Sequence, residues 1–332
     1  MRIGQIGLKG HQSVVMRGAQ ELGDWQVVAV SDNDREAVDK FCKKEPLAKG
    51  AEKYHDWRHL IEHTMMDVCC VCDENGMRAE QLIALAERNI HIVTEKPLTT
   101  TLEDLERVRS ALAKSKSRLT MLLTMRHEPK YPAIRKLIQS GAIGEVCQAT
   151  TQKSYRVEER DDWQKSRERL GGTIPYIGIH ALDMMRWVTG LDYTHVAAFH
   201  GNNGTPYLKE TEDQASVLCR FTNGASATAR LDYLRPSTAA THGDDRLRIA
   251  GSEGVIEAGA PYKDFLLITK KEGPREIQAE PTDSFFVEFV KAIREDRPSR
   301  IPAEDCFYIT ELVLKAREAA DKKQLVELKT KA

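Results

Sequence analysis

Nowhere in the 332 residues does an apolar run approach the roughly 20 that a membrane-spanning helix needs, so no membrane partner is expected. Charge of one sign is missing as well. The 49 Lys and Arg are matched by 50 Asp and Glu, a formal net charge of -1. With no basic field to draw nucleic acid or an anionic surface, a small-molecule partner is expected instead. Paired cysteine spacing is absent: the seven cysteines, at 42, 69, 70, 72, 147, 219 and 306, form an odd, scattered set. Reduced thiols are expected rather than a secreted disulfide framework. Cys69 and Cys72 spell CxxC, yet they lie in MDVCCVCD, a strand-like run where residues three apart point to opposite faces. The core reading therefore outweighs a redox or zinc site. The opening MRIGQIGLKG lacks a charged stretch followed by an apolar one, so the expected compartment is the cytoplasm. There is no internal repeat and no low-complexity tract.

The length, with 41% hydrophobic residues, points to two domains, each with a core. Over the first part of the chain, RIGQIGL, QVVAVSD, DVCCVCD, IHIVTEK and RLTMLLT read as strands. Segments with apolar residues at helical spacing lie between them, including MRAEQLIALAERN and TLEDLERVRSALAKS. This alternation predicts an α/β Rossmann domain over 1–124, with a doubly wound parallel sheet. Beyond it, DQASVLCRFT, GASATARLDYL and DDRLRIAGS alternate apolar and polar residues without intervening helices. They predict an α+β domain over 125–332 with a large, mostly antiparallel open sheet. The helical ending AEDCFYITELVLKAREAADKK either closes that domain or packs back on the first.

The first strand runs into GLKGHQSVVMRGAQEL, which reads as a tight turn opening a helix whose first amides can receive a pyrophosphate. A full GxGxxG is lacking. Gly7 matches its first position, Lys9 and Gln12 stand where the second and third glycines belong, and Gly10 is offset. Lys9 either places an ammonium beside the phosphates or is a solvated loop lysine. About 20 residues on, Asp32 ends the second strand in VVAVSDND, where a carboxylate binds the adenosine ribose hydroxyls or caps the next helix. An acid there favours NAD. Nearby Arg35 leaves NADP open.

TEKPLTTTLEDLE, preceded by DENGMRAEQLIALAERNIHIV and followed by MRHEPKYPAIRKLIQSGAIGEV, resembles the Gfo/Idh/MocA family of nicotinamide-dependent sugar and polyol oxidoreductases. The resemblance runs through nearly the whole chain. It implies that Glu95-Lys96-Pro97 lies at the nicotinamide, with Lys96 touching the reacting substrate oxygen. It also matches GGTIPYIGIHALDMMRW to a family pattern of roughly GG, four residues, DxGxHxxD. The catalytic acid/base role then falls on His180, and imidazole chemistry agrees, because it can both accept and return a proton near neutral pH. Lys96 would stabilise the developing alkoxide. Tyr176 departs from the pattern by replacing the family's aspartate; a phenol there either assists chemically or walls the pocket. Asp183 offers a carboxylate or a structural hydrogen bond. Gly7, Lys9, Gly10, His11, Gln12, Asp32, Asn75, Glu95 and Lys96 are the expected cofactor residues.

Arg126 and His127, with Arg156, Trp163, Lys165 and Arg167, are candidates to line a polar cleft with an aromatic wall beside Tyr176 and His180. THGDDR carries His242, Asp244 and Asp245, but a polar connection between strands explains it more cheaply than a metal, and no metal is expected. The expected activity is hydride transfer between NAD(H) and a secondary alcohol or ketone of a sugar, inositol or related polyol. The alternatives are an NAD-dependent glycosidase acting by transient oxidation and a non-catalytic NAD- or sugar-sensing protein. A homodimer or homotetramer through the second domain's sheet is also expected, partly from the resemblance.

Overall fold

The apolar runs at the start of the chain become one parallel sheet. In the computed structural model, which describes residues 1–157, 159–205, 208, 210–262 and 264–328, they are β1 (Arg2–Ile6), β2 (Gln26–Ser31), β3 (Glu52–Tyr54), β4 (Val68–Val71), β5 (His91–Thr94) and β6 (Leu119–Met121). The strand order β3-β2-β1-β4-β5-β6, parallel throughout, reverses direction of growth between β1 and β4. That is the doubly wound arrangement, with its ligand crevice at the reversal. Helices α1 (Gln12–Leu22), α2 (Arg35–Lys44), α3 (Trp57–His63), α4 (Arg78–Glu87) and α5 (Leu102–Ala113) make the crossovers. Because helices cover both faces, β4 is buried along its whole length, and Cys69, Cys70 and Cys72 are core thiols.

By contact, the chain groups into two units: Met1–Leu123 with Asp283–Thr310, and Thr124–Thr282 with Glu311 onward. The return of Asp283–Thr310 to the first unit departs from the single expected stretch 125–332. Its physical reason is α10 (Phe285–Arg294), whose apolar face includes Phe285, Phe286, Phe289 and Val290. Phe286 packs edge-on to Trp25 at 5.1 Å and lies so close to Gly18 of α1 that an added Cβ would come within 2.6 Å. Helix α11 (Ala303–Lys322) begins in this unit, and its Thr310 hydroxyl lies 3.4 Å from the Leu98 amide.

The second unit is built on nine strands: β7 (Val146–Arg156), β8 (Tyr193–Gly201), β9 (Gln214–Phe221), β10 (Ser226–Arg235), β11 (Gly243–Gly251), β12 (Gly254–Ala258), β13 (Phe265–Thr269), β14 (Arg275–Ile277) and β15 (Val326–Glu327). Their order is β14-β13-β12-β11-β7-β10-β9-β8-β15, antiparallel except for the β7–β10 pair. Strict alternation of buried and exposed residues along β9 marks a sheet covered on one face and open on the other. The helices are α6 (Lys130–Gln139), the single-turn α7 (Asp162–Lys165) and α8 (Arg167–Leu170), and α9 (Ile179–Thr189). Among the described residues no helix is long and apolar enough to cross a membrane.

Candidate functional site

In the first unit, the turn after β1 is shaped by two close approaches. Gly7 sits at φ 70°, and an added Cβ would lie 2.5 Å from Asp73 Cα. A Cβ on Gly10 would lie 2.5 Å from Glu95 Oε1. The offset glycine is therefore needed where the glutamate of the EKP segment crosses the turn. Glu95 Oε1 accepts from the His11 amide at 2.5 Å and approaches the His11 ring Nδ1 at 2.6 Å. Its other oxygen accepts from the Lys96 amide at 3.1 Å. Gln12 folds over the same turn, its Oε1 accepting from the Gly10 amide at 3.2 Å. Burial alone would raise the Glu95 pKa, but the His11 hydrogen bonds and the charges of His11, Lys96 and Arg78 bring it down to about 2.

Lys9 is not aimed along the turn towards a phosphate position. Its Nζ lies 3.2 Å from Asp73, 3.4 Å from Asp32 and 3.1 Å from the Asn33 side-chain oxygen, beside the carboxylate at the end of β2. Burial opposes its charge, yet Asp73 and Asp32 together raise its pKa above the ordinary lysine value. Asp32 accepts from the Leu8 and Asp34 amides at 2.8 and 2.9 Å. It is not the helix cap: Asp34 takes that role, accepting from Glu36 and Ala37 at the start of α2. Asn75 is buried and accepts from Arg78 at 2.8 Å. Arg78 also donates to the carbonyls of Asp73 and Pro97, tying the loop after β4 to the EKP segment. Sequence reading missed Arg78; the available signal was a cation opening a helix that is otherwise buried.

These residues suit a dinucleotide. Glycines clear the turn, and the first turn of α1 carries no acidic residue and no side-chain cap, leaving its dipole to favour an anion. Asp32 retains acceptor capacity for ribose hydroxyls, because a carboxylate offers about four lone-pair directions.

In the second unit, the quoted GGTIPYIGIH segment is a turn wider than an α-helix. Gly171 and Gly172 both adopt positive φ, at 94° and 92°, after which Ile174–Gly178 forms a π-helical turn leading into α9. Single π turns of this kind recur at functional sites. The Gly171 carbonyl accepts from Arg317 at 2.7 Å, and the Thr173 amide donates to the buried Glu212 at 2.9 Å. Gly178 packs on β10 so closely that a Cβ would lie 2.7 Å from Leu231 Cδ1. From Gly171 to Met185 only Tyr176 and His180 are not buried. The Tyr176 hydroxyl accepts from Gln164 at 3.3 Å, and its ring meets the buried Trp163 edge-on at 6.3 Å.

Three expected cleft residues are placed otherwise. Arg126 is fully buried and forks onto Asp183, Nε to Oδ2 at 2.9 Å and the terminal nitrogen to Oδ1 at 2.5 Å. It cannot line a cleft, because desolvation holds the guanidinium to its carboxylate, and Asp183 is likewise committed. Arg156 follows the strand alternation onto the open face with Gln152 and donates to the Ser237 carbonyl at 3.1 Å. Arg167 pairs with Glu212 and Asp321 at 2.9 and 2.6 Å, below the glycine pair. Lys165 pairs with Asp162 at 3.3 Å. His127 is half-buried, its carbonyl accepting from Thr282 at 3.0 Å. In THGDDR, Asp244 is held by Arg246, Asp245 by Lys153, and the His242 ring stacks on Tyr155 at 5.4 Å. The widest groove, about 900 Å³, is on the open face of the sheet, lined by Gln152, Phe199, Thr228, Arg230 and Arg248. That is the opposite face from Leu231 and Gly178, so it is not where His180 works.

Residues 1–123 match the oxidoreductase family model with an NAD-binding Rossmann fold, and residues 131–257 match the GFO/IDH/MocA C-terminal domain. A myo-inositol 2-dehydrogenase of Thermotoga maritima is 26% identical over 348 aligned positions, 99% of this chain and 98% of that protein. A solved Thermotoga maritima chain that carries only the general name oxidoreductase is 32% identical, with a TM-score of 0.92 over 99% of this chain and 100% of its own. The WlbA dehydrogenase of Bordetella pertussis, solved with NADH and UDP-GlcNAcA, shares the fold at 18% identity, with a TM-score of 0.85 over 100% of this chain and 99% of that one.

Proposed function

The chain belongs to the GFO/IDH/MocA family of NAD-binding oxidoreductases, and from that premise we propose that it moves a hydride between NAD(H) and a secondary alcohol or ketone of a sugar, inositol or related polyol. The inositol 2-dehydrogenase likeness over the full length supports the substrate class. The observation that carries the reading is the burial pattern around the π turn. A stretch whose other side chains are all inside offers just a phenol and an imidazole, so His180 is not filling space.

NAD, when bound, supplies the hydride acceptor. Gly7, Gly10, His11 and Gln12 form the turn that receives its phosphates, and Asp32, with Lys9 beside it, receives the ribose. Asn75, Glu95 and Lys96 complete the cofactor side. His180 takes the proton from the substrate hydroxyl and returns it in the reverse direction. The Lys96 ammonium stabilises negative charge developing on the oxygen. Tyr176 shapes the pocket with Trp163 and assists without being the principal base, since an ordinary phenol titrates near pH 10 and is almost wholly protonated at neutral pH. His127 is a lesser wall residue.

Purified protein incubated with NAD, and separately NADP, against sugars, inositols and aryl glycosides tests the reading. Reduced nicotinamide should form in step with substrate oxidation. Aglycone release without reduction, or cofactor binding with neither product, refutes it. His180→Asn should lower turnover roughly 100-fold or more while NAD affinity stays near wild type.

We also propose that the chain self-associates through the open sheet face. Phe199, Leu218 and Leu234 stand 72%, 52% and 48% exposed on that face, an apolar presentation that a second copy would cover. Sedimentation at micromolar concentration showing a monomer alone ends that idea.

A further inference from the structure

On the helix-covered face of the second unit, β7, β10 and β11 bring together a set of polar groups that the proposed chemistry does not use. Lys153 of β7 lies opposite Asp245 of β11, and its Nζ donates to Asp245 Oδ2 at 2.5 Å. Lys153 is 2% exposed, against Met125 Sδ at 2.9 Å. Burial pulls its pKa below the ordinary lysine value while Asp245 pushes the other way. The Tyr155 hydroxyl is 3.5 Å from the same Oδ2. Gly243 lies opposite Tyr155, and a Cβ there would come within 2.7 Å of its ring, so the glycine seats the tyrosine. Tyr233 of β10 stands 6.5 Å from Tyr155, ring to ring, with the Arg160 guanidinium 4.5 Å over its face.

An ion pair that merely holds two strands together accounts for Lys153 and for Oδ2. It leaves two polar atoms without a role. Asp245 Oδ1 is buried and accepts no hydrogen bond among the described residues, and the Tyr233 hydroxyl, on a side chain 5% exposed, has none either. Buried polar groups in native folds are nearly always satisfied, and bare ones carry a desolvation cost that a ligand's hydroxyls can offset. One atom is a charged acceptor and the other a phenol that both donates and accepts. Between them lie two tyrosine faces, which suit the C–H side of a saturated ring.

We propose that Asp245 and Tyr233 form a hydroxyl-binding subsite that recognises ring alcohols other than the one oxidised. Asp245 Oδ1 accepts from one hydroxyl and the Tyr233 phenol bonds a second. Lys153 and Tyr155 act as positioning residues that fix the carboxylate. The inference rests on the polyol reading above and adds the side chains that choose among polyols.

The test uses the full chain as wild type, Tyr233→Phe and Asp245→Asn, with NAD, and as probes glucose, myo-inositol and their monodeoxy analogues. With wild type, the analogue lacking a contacted hydroxyl should lose about 10-fold or more in kcat/KM, the scale of a hydrogen bond to a charged or buried partner. In the matching variant, parent and analogue should be handled alike, with the loss in KM rather than kcat and NADH affinity unchanged. Equal discrimination by wild type and both variants overturns the subsite. Asp245→Asn strands a buried lysine, so Asp245→Asn with Lys153→Met is the second form, and Tyr233→Phe removes a single oxygen. Calorimetric titration of the same polyols into the NADH-bound protein separates the two proposals. Polyol binding that weakens about 10-fold in the variants upholds the subsite even if no NADH is formed from any polyol, a result that refutes the oxidation alone. A wild type that binds no polyol overturns the subsite.

Discussion

Glu95→Gln tests whether the EKP glutamate holds the cofactor turn by charge. The carboxyl is 5% exposed, and the His11 contacts with the nearby Lys96 and Arg78 charges bring its pKa from 4.5 down to about 2. A carboxyl whose folded pKa is depressed stabilises the fold above its unfolded pKa, and that contribution disappears as pH falls from 4.5 towards 2. A depression of that size corresponds to about 3 kcal/mol at neutral pH. The amide keeps the shape and an acceptor for the His11 amide, so this figure is an upper bound. Urea unfolding of both proteins, followed by tryptophan fluorescence, reads the difference, because Trp25 and Trp57 belong to this unit. The variant should be less stable by up to about 3 kcal/mol at neutral pH, and the gap should close as pH approaches about 3. A neutral-pH gap below about 0.5 kcal/mol, the ordinary range for an unimportant substitution, refutes the charged clamp. So does a gap that stays constant down to acid pH.

Asp183→Leu leaves the Arg126 guanidinium buried without its carboxylate and should cost about 3–5 kcal/mol, whereas adding Arg126→Met should recover most of it. Calorimetric melting of the single and double variants measures this, and a single variant as stable as wild type would show the pair to be dispensable. Asp32→Ser should weaken NAD and relatively favour NADP, because it removes a ribose acceptor and the repulsion of a 2′-phosphate while leaving the Lys9 ammonium in place. Fluorescence titration with both reduced cofactors gives the ratio of affinities, and an unchanged ratio would confine Asp32 to holding the Leu8 and Asp34 amides.

The parallel sheet was legible because its strands are buried on both faces and read as continuous apolar runs, as VCCV does in β4. The open sheet was legible for the opposite reason, the strict alternation in QASVLCRF. The parallel β7–β10 pair was not, since pairing direction leaves no mark in side-chain periodicity. Nor was the return of α10 to the first unit, which depends on Phe286 finding Gly18 and Trp25 far away in the chain. At the site, local spacing located Tyr176 and His180 where they are the accessible pair. It misjudged Arg126 and Lys9, because what a long cation reaches is decided by carboxylates that tertiary structure brings near: Asp183 for one, Asp32 and Asp73 for the other. Gly10 looked like a misplaced motif residue until the crossing of Glu95 gave it a reason.

The wide turn at Ile174–Gly178 has a mechanical consequence. A π turn closes its hydrogen bond one residue later than an α turn, so it acts as a phase offset between what precedes it and the helix it launches. Downstream, Asp183 is pinned by Arg126, which fixes the rotation of α9 and hence the bearing of His180. Upstream, Thr173 is pinned by Glu212. Both ends are anchored, so the spare residue cannot be absorbed by rotating either one. Deleting a single residue from the turn would restore α-helical spacing and swing Tyr176 by about 100° around the axis, while His180 kept its bearing. Register, as much as residue identity, therefore decides which side chain stands beside the histidine, and a homologous sequence one residue shorter here would present a different neighbour to the same imidazole.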